Sequence, residues 1–206
     1  MAISRERFDQ GMTPEQYKAQ MTQNQEKFIA NEAGASLRPA DLAFFEALSQ
    51  PINVLVLTED WCGDALANVP VLNALARQTG KLNVRIFLRD HNLDIADQYL
   101  KEGKYRSVPV FVFFDQNMRE LGHFIERPAL ATAEMQKATD TLVAAHPDLP
   151  DIAGSFEAMG EEAKRLRLRS LSALRRTRGG AWTEMLLDDI ERLLGAAQPS
   201  TYQAAS

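Results

Sequence analysis

The stretch Trp61-Cys62-Gly63-Asp64-Ala65 holds the single cysteine of this 206-residue chain. It follows an apolar run at 52–57 that predicts a buried strand, and it leads into a helical pattern at 64–77. A thiol at a strand-to-helix junction lies at the positive end of the helix dipole, which favours the reactive thiolate. A lone cysteine is also often a small buried residue with no chemical role. Position alone leaves both interpretations of Cys62 open.

The composition is that of an ordinary globular protein with a mild acidic excess. Hydrophobic residues make up 45% and charged residues 25%, and 23 basic against 28 acidic residues give a net charge of −5. This balance disfavours nucleic acid as a partner. One cysteine excludes an internal disulfide framework and any multi-cysteine zinc or iron–sulfur site, and it favours a reducing compartment. Without a signal-peptide pattern or a membrane-length apolar run, we predict a cytoplasmic protein with no membrane partner.

Hydrophobic periodicity predicts further strands and helices after the junction. In chain order these are a strand, a short helix, two strands and a long helix, at 82–88, 92–100, 108–114, 120–125 and 128–145. The first strand-helix-strand unit should be parallel by the right-handed crossover rule, and the last two strands should form a hairpin. The sequence therefore predicts an α/β fold with a mixed central sheet flanked by helices.

Helical segments extend the chain on both sides of this core. Thr13 and Gln16 predict a capping box at the start of a polar helix that continues to Phe28. We predict three segments, namely an N-terminal helical extension at 1–50, a core at 51–146 and a C-terminal helical extension, packed on the core, at 147–206.

The C-terminal extension contains two helical patterns, at 155–176 and 182–194, separated by Gly179-Gly180. A strongly basic run at 164–178 carries leucines every three residues, which predicts a docked helix with a cationic outer face; nucleic-acid or acidic-partner binding is the alternative. The last residues, 199–206, predict a frayed end. The leucines of the stripe are Leu168, Leu171 and Leu174.

Three features of the chain together resemble the thioredoxin superfamily. Trp61-Cys62-Gly63 follows the first core strand and opens a helix, Pro70 lies eight residues after Cys62, and Ser107-Val108-Pro109-Val110 begins the third strand. The resemblance covers about 51–145 and implies a thioredoxin-like fold with a cis peptide bond before Pro109, facing Cys62. The fuller string at 58–65 resembles a bacterial subgroup of thioredoxin-like proteins that shares the flanking helices.

Three positions depart from the thioredoxin pattern. Ala65 stands where thioredoxins have their second cysteine, so the intramolecular disulfide cannot form. Asp64 replaces the usual proline, and Val56 replaces the buried acid that assists proton transfer from the second cysteine. The resemblance therefore implies a monothiol mechanism, or no redox chemistry at all.

The resemblance implies a site centred on Cys62 as the catalytic residue. Around it, the substrate-binding residues would be Trp61, Gly63, Asp64, Val108 and Pro109. Asp64 either caps the following helix or tunes the thiol, because nearby negative charge opposes thiolate formation.

Other charged residues are weaker candidates for the site. Four cations are either solvated surface residues or a subsite for the carboxylates of glutathione; they are Arg89, Lys101, Lys104 and Arg106. The three histidines have no metal-ligand spacing, and we predict no metal.

The leading hypothesis is a thioredoxin-like monothiol oxidoreductase in which Cys62 forms mixed disulfides with a protein or with glutathione. Release of the product then needs an external thiol, with glutathione as a possible co-substrate and no other cofactor required. The alternative is a non-catalytic thioredoxin-fold binding module or redox sensor. A glutathione-linked transferase is a third hypothesis, but the C-terminal region is short for the helical domain of that family. Partners would be disulfide-bearing proteins or small thiols, and a homodimer is compatible with the sequence.

Overall fold

The computed structural model describes residues 3–197 of the chain. Its centre is a four-stranded sheet in the order β2-β1-β3-β4. β1 pairs with β2 in parallel and with β3 antiparallel, and β3 pairs with β4 antiparallel. The strand bounds are Ile52–Thr58 for β1, Leu82–Leu88 for β2, Val110–Phe114 for β3 and Glu120–Ile125 for β4. The predicted mixed α/β sheet is confirmed.

The described part of the chain has eight α-helices. Their bounds are Arg5–Asp9 for α1, Pro14–Gln20 for α2, Gln25–Ala33 for α3, Pro39–Glu46 for α4, Gly63–Thr79 for α5, Leu93–Ala96 for α6, Ala129–Ala145 for α7 and Glu161–Ala197 for α8. Three short 3₁₀ helices lie at Arg89–His91, Pro150–Ala153 and Phe156–Ala158. No helix of residues 3–197 is both long and apolar enough to cross a membrane.

β1 is the central strand and is buried along all seven of its residues. Its nearly continuous apolar sequence suits a strand that is covered on both faces. A short turn at 59–62 leads from its end into α5, so the strand fixes where Cys62 lies. The predicted strands at 82–88 and 120–125 have the bounds of β2 and β4, whereas β3 begins at Val110 because Pro109 has no N–H to donate to the sheet.

The outer edge of β2 is covered by the chain just before α2. Met12 N donates to Ile86 O at 2.9 Å, and Ile86 N donates to Met12 O at 2.8 Å. Gly11 allows this close approach, because a Cβ there would lie 2.6 Å from the Phe87 ring and 2.8 Å from Arg85 Cβ. The N-terminal extension therefore caps one edge of the sheet.

Two helical predictions are wrong in extent. The polar helix predicted from Thr13 to Phe28 is two helices, α2 and α3, although its capping box is confirmed by reciprocal bonds between Thr13 and Gln16. The chain leaves the helix at Met21, and the backbone of the following residues bonds to a carboxylate outside it. The helix predicted at 92–100 ends at Ala96, because the hydrogen bonds beyond Asp97 tighten from i+4 to i+3 spacing.

The described residues form two compact units. One contains 3–126 together with 186–197, and it holds the large core around the sheet, to which the end of α8 contributes Leu186, Leu187, Ile190 and Leu194. The other contains 127–185 and has two small apolar clusters, one around Trp182 and one around Met159. The boundaries of these units differ from those of the three predicted segments, and the division into three segments stays a prediction. The end predicted to fray, 199–206, lies outside the described residues.

The two predicted C-terminal helices are one helix, α8, which runs through Gly179-Gly180. Two glycines cost about 2 kcal/mol in a helix interior. Contacts within the same unit offset this cost: Trp182 is buried, and Glu134 accepts hydrogen bonds from Arg178 and Trp182. The helix therefore continues where local sequence predicts a break.

The predicted leucine stripe is wrong at Leu168, which is 54% exposed, whereas Leu171 and Leu174 pack in the cluster around Trp182. A spacing of three residues rotates by about 60° per step around an α-helix, so Leu168 points away from Leu174. Exposed arginines, Arg165 and Arg169 among them, form a cationic surface on this part of the helix.

Candidate functional site

Cys62 occupies the N-cap position of α5, at the junction with the end of β1. Its backbone N donates to Glu59 O at 3.3 Å, which closes a turn after the strand. The Sγ donates to the carbonyl oxygen of Val108 at 3.3 Å, and the residue is 9% exposed. The thiol therefore lies at the amide end of a long helix, and its sulfur touches the segment before β3.

The peptide bond between Val108 and Pro109 is cis. This confirms the backbone conformation implied by the resemblance, and the contact with Cys62 confirms that the two segments face each other. Pro109 O also accepts from Glu126 N at 2.7 Å, which ties this segment to the end of β4. The structure thus brings Cys62, Val108 and Pro109 together.

Trp61 lies beside this contact and is 47% exposed. The Arg89 guanidinium lies 5.2 Å from the centroid of its ring, a cation–π distance. Arg89 is itself fixed by Asp90 at 2.7 Å and by the carbonyl of Arg106 at 3.1 Å. An aromatic surface therefore flanks the cysteine, and the chain before the cis peptide bond helps to hold it in place.

Helix α5 contains Pro70, which cannot donate the usual hydrogen bond to the carbonyl of Leu66. Asn31 of α3 supplies a replacement donor, with its Nδ2 2.8 Å from Leu66 O. Asn68, on the same helix, donates to Glu126 O at 2.7 Å. Hydrogen bonds to α3 and to the backbone of Glu126 therefore support the first turns of the helix that follows Cys62.

The acidic residues before Cys62 are engaged by hydrogen-bond donors. The Asp60 carboxylate accepts from Thr22 N at 2.7 Å, from Thr22 Oγ1 at 3.1 Å and from Gln23 N at 3.0 Å. Glu59 is buried and accepts from Asp90 N at 2.8 Å. Burial raises the pKa of Glu59, although the bond from Asp90 partly offsets that rise. These bonds compensate much of the negative charge expected to oppose a thiolate.

Asp64 is buried in the first turn of α5, after Gly63. Cys62 holds the N-cap position, and Asp64 follows it in the first turn, so the choice between a capping and a tuning role for Asp64 stays a prediction. A carboxylate in the first turn still interacts favourably with the helix dipole. Ala65 and Val56 are both buried in the core, so the positions of the missing second cysteine and the missing acid are filled by apolar side chains.

Three of the four cations considered for an anion subsite are paired with carboxylates. Arg89 pairs with Asp90, Lys101 with Glu126 at 2.7 Å, and Arg106 with Asp97 at 2.6 Å. Lys104 lies 5.1 Å from the ring centroid of Tyr105. The structure therefore offers little free positive charge for the carboxylates of a small thiol.

Sequence reasoning did not identify Tyr17 and Thr58 as site residues. Tyr17 of α2 and Thr58 at the end of β1 are fully buried, and their hydroxyls lie beside each other. Burial raises the pKa of Tyr17, and the neighbouring Thr58 hydroxyl partly offsets that rise. No spacing or motif marks these residues, because their proximity depends on how α2 packs.

A separate acidic cluster lies at the contact between α4 and the end of α8. Asp41, Asp188 and Glu191 each place one carboxylate oxygen within 4.8 Å of the others. Arg38 donates to Asp41 at 2.9 Å and to Asp188 at 2.5 Å. The Arg38 guanidinium thus pairs with two of the three carboxyl groups, and none of the three histidines joins such a group in the described chain.

Comparison with known proteins agrees with this geometry. The thioredoxin family model matches residues 11–140, more than half of the chain. A protein of unknown function from Pseudomonas aeruginosa has a similar structure, with a TM-score of 0.66 and 17% identity over 96% of this chain and 100% of the other.

A second solved structure, an HIV epitope scaffold, has a TM-score of 0.64 and 17% identity over 93% of this chain and 96% of its own. At that identity both structures show the fold alone. No curated protein sequence matches the chain. The family match, the cis Val108–Pro109 bond and the cysteine at the start of α5 lead to one conclusion: the chain belongs to the thioredoxin family.

Proposed function

We propose that the protein carries out thiol–disulfide exchange with Cys62 as its single reactive thiol. The observation that carries this proposal is the 3.3 Å contact between Cys62 Sγ and Val108 O, at the start of α5 and before a cis proline. Unpaired amide groups at a helix N-terminus favour a thiolate. The compensation of Asp60 and Glu59 by N–H donors supports the same conclusion, because it weakens the opposing charge.

The exchange proceeds in two steps. The Cys62 thiolate attacks one sulfur of a disulfide, a Cys62–sulfur bond forms as the original S–S bond breaks, and the departing thiolate takes a proton from solvent. An external thiolate then attacks the mixed disulfide and releases Cys62, again as a thiolate. Because Ala65 occupies the place of a resolving cysteine, the second step needs that external thiol. A reducing, cytoplasmic setting would supply one, and glutathione is the simplest candidate.

Substrate would bind across the face formed by Trp61, Gly63 and the Val108–Pro109 segment, with Asp64 behind it. The exposed ring of Trp61 offers apolar surface, and the backbone before Pro109 offers hydrogen bonds to an extended peptide. Since most nearby cations are paired, a protein disulfide fits this surface better than a small anionic thiol does.

The test is mixed-disulfide formation followed by intact-mass spectrometry. Incubation with glutathione disulfide should add one glutathione to the wild-type protein, and Cys62→Ser should abolish the adduct. A matched gain-of-function variant is Ala65→Cys, which restores a second thiol one helical turn from Cys62. It should release the bound glutathione without an external thiol and form an internal disulfide. A wild-type protein that forms no mixed disulfide with glutathione disulfide, nor with a peptide that carries a disulfide, would contradict the proposal.

The second candidate is a binding module or redox sensor that uses the same surface without turnover. The specific observation in its favour is the contrast between a nearly buried Cys62 and a half-exposed Trp61. Capture of a partner protein that survives Cys62→Ala and fails in Trp61→Ala would favour this candidate. The opposite pattern favours exchange chemistry.

A further inference from the structure

The positive charge of the chain is concentrated on one stretch of α8. Residues 163–183 contain seven basic residues and no acidic one. The rest of the chain contains 16 basic residues (23 minus 7) and 28 acidic residues, so a local charge of +7 stands against −12 elsewhere. The net charge of −5 therefore says little about what this stretch binds, because association depends on the local field.

The basic residues of this stretch differ in their contacts. Arg178 pairs with Glu134 of α7 at 2.7 Å, and Arg167 donates to Gly154 O at 3.0 Å, so both hold the helix to its own unit. Arg165 and Arg169 are exposed, and their side chains make no hydrogen bond or ion pair with the described residues. These two charges have no carboxylate to compensate them.

Arg176 belongs with this second group. It is exposed, and its Nη1 donates to Ser172 Oγ at 3.2 Å, which is a neutral acceptor. Residues 4, 7 and 11 positions apart lie within about 40° of one another around an α-helix. Arg165, Arg169 and Arg176 therefore form one row, the arginine stripe, which extends over about 17 Å at 1.5 Å per residue.

The dimensions and chemistry of the arginine stripe suit the backbone of a nucleic-acid duplex. A DNA duplex carries one phosphate charge per 1.7 Å of its axis, so about ten phosphates face a length of 17 Å. The planar guanidinium group binds phosphate oxygens through two parallel hydrogen bonds. Three exposed arginines on a straight helix can each reach a different phosphate of that backbone.

Two other partners fit the exposed face of this helix less well. A helix that lies in a membrane surface needs an exposed apolar face. Here the apolar residues Leu171 and Leu174 already pack with Trp182. A protein partner needs apolar anchors at the centre of the interface. Leu168 is the single large apolar side chain that this stretch exposes.

A single strand of nucleic acid is also a poorer fit than a duplex. Proteins that hold single strands stack the bases on aromatic rings. No aromatic side chain is exposed between 163 and 183, because Trp182 is buried. Binding to a duplex needs no apolar or aromatic anchor, since neutralising phosphates releases the counterions bound to them.

We propose that the arginine stripe of α8 binds duplex nucleic acid through its phosphates, without reading the base sequence. This binding is separate from the thiol chemistry proposed for Cys62 and does not depend on it. Three phosphate contacts predict a dissociation constant in the micromolar range at low salt and a strong dependence on salt.

The test is fluorescence anisotropy of the full-length protein with labelled DNA and RNA duplexes of about 20 base pairs and arbitrary sequence. The slope of the logarithm of affinity against the logarithm of salt concentration should be about −2.7, an affinity loss of about 40-fold between 50 and 200 mM salt. The triple variant Arg165→Gln, Arg169→Gln, Arg176→Gln should bind at least about tenfold more weakly at 50 mM salt, with a slope near zero. Replacing the same three residues by lysine keeps the charges and should keep most of the slope.

A matched control removes the same charge elsewhere. Lys27, Arg77 and Lys137 are exposed and have no ion-pair partner among the described residues. The triple variant Lys27→Gln, Arg77→Gln, Lys137→Gln should keep the affinity within about twofold, because phosphate contacts act locally. Circular dichroism checks that each variant is folded.

Three outcomes would overturn the inference. The first is no binding of either duplex at 50 mM salt, and the second is an equal loss in the stripe and control variants, which would reflect net charge alone. The third is equal binding of polyglutamate or of vesicles that contain phosphatidylserine, which would make the stripe a general anion surface. Weaker binding in the folded glutamine variant, with recovery in the lysine variant, would support the proposal.

Discussion

The Cys62 loop, at 59–62, and the acidic cluster of Asp41, Asp188 and Glu191 differ in how the charge of their carboxyl groups is compensated. Both place carboxyl groups in partly or fully buried surroundings. In the loop, the carboxylates of Glu59 and Asp60 accept hydrogen bonds from backbone N–H groups. In the cluster, Arg38 compensates Asp41, but Oε1 of Glu191 is buried without a hydrogen-bond donor. The first arrangement compensates the carboxylates beside the cysteine, whereas the second makes stability depend on a proton.

The largest effect is expected from Asp41→Ala, which removes the centre of the acidic cluster. Burial pushes the pKa of Asp41 upward, but hydrogen bonds from Arg38 outweigh burial and hold it below its ordinary value. The variant loses a capping interaction at the start of α4 and leaves Arg38 with Asp188 as its remaining partner. We expect the free energy of unfolding in urea to fall by about 2–3 kcal/mol.

A surface carboxylate provides the control for that measurement. Asp94 pairs with Arg7 at 2.9 Å, but 61% of its side chain is exposed. Asp94→Ala should cost less than about 1 kcal/mol. Equal losses in the two variants would contradict the distinction between a buried, compensated acid and an exposed one.

The next effect is the pH dependence of stability that Glu191 introduces. Burial, followed by the charge of Asp41, raises the pKa of Glu191 from 4.5 to about 7. The folded state then binds more protons than the unfolded state, so this contribution to stability is full below pH 4.5 and is lost as the pH rises toward 7. Glu191→Gln keeps a donor to Asp41 and has no proton to lose in this range. It should therefore reduce the fall in the free energy of unfolding between pH 4.5 and 7 by roughly 1 kcal/mol, after allowance for solvent screening.

Unfolding midpoints measured from pH 4 to 8 test this prediction. Glu59, whose pKa is also raised by burial, acts in the same direction and should leave a residual slope in Glu191→Gln. A variant with the full wild-type slope between pH 4.5 and 7 would show that the cluster does not hold a proton.

The smallest effect is expected from Asn31→Ala in α3. The variant removes the donor to Leu66 O, which Pro70 cannot replace. Because the bond is at the surface, water takes over part of it, and we expect a loss of about 0.5–1 kcal/mol in urea unfolding. Faster amide exchange in the first turns of α5, measured by mass spectrometry, would locate the loss next to Cys62. Unchanged exchange there would argue against this support.

The sequence was sufficient to predict the four strands, the parallel first pair, the closing hairpin and the elements that meet at Cys62. Three local signals in the sequence indicate these elements. They are the continuous apolar run of β1, the helix start at Gly63 and the Val108–Pro109 segment. The cis bond and the facing of Val108 and Cys62 came from the resemblance. These features depend on short stretches of chain, which is why a single sequence can reveal them.

The features that sequence reasoning missed all depend on contacts between residues that are far apart in the sequence. Tyr17 looks like one apolar residue of an amphipathic helix, and only packing places it beside Thr58. Two glycines predict a break in α8, but contacts of Trp182 and Glu134 outweigh their local cost. The cluster of Asp41 and Glu191 joins residues that are 150 positions apart in the sequence.

The short bridge between Met12 and Ile86 has a consequence for where this protein can be divided. An uncovered strand edge is a template for pairing with other molecules, and natural sheets protect such edges. A shortened protein that begins at Thr13 would keep α2 and Tyr17 but would expose the backbone groups of β2 around Ile86. Besides losing Ile3 and Phe8 from the core, it should therefore self-associate through the exposed edge of β2. The residues before α2 thus act as a barrier against polymerisation as well as a part of the domain.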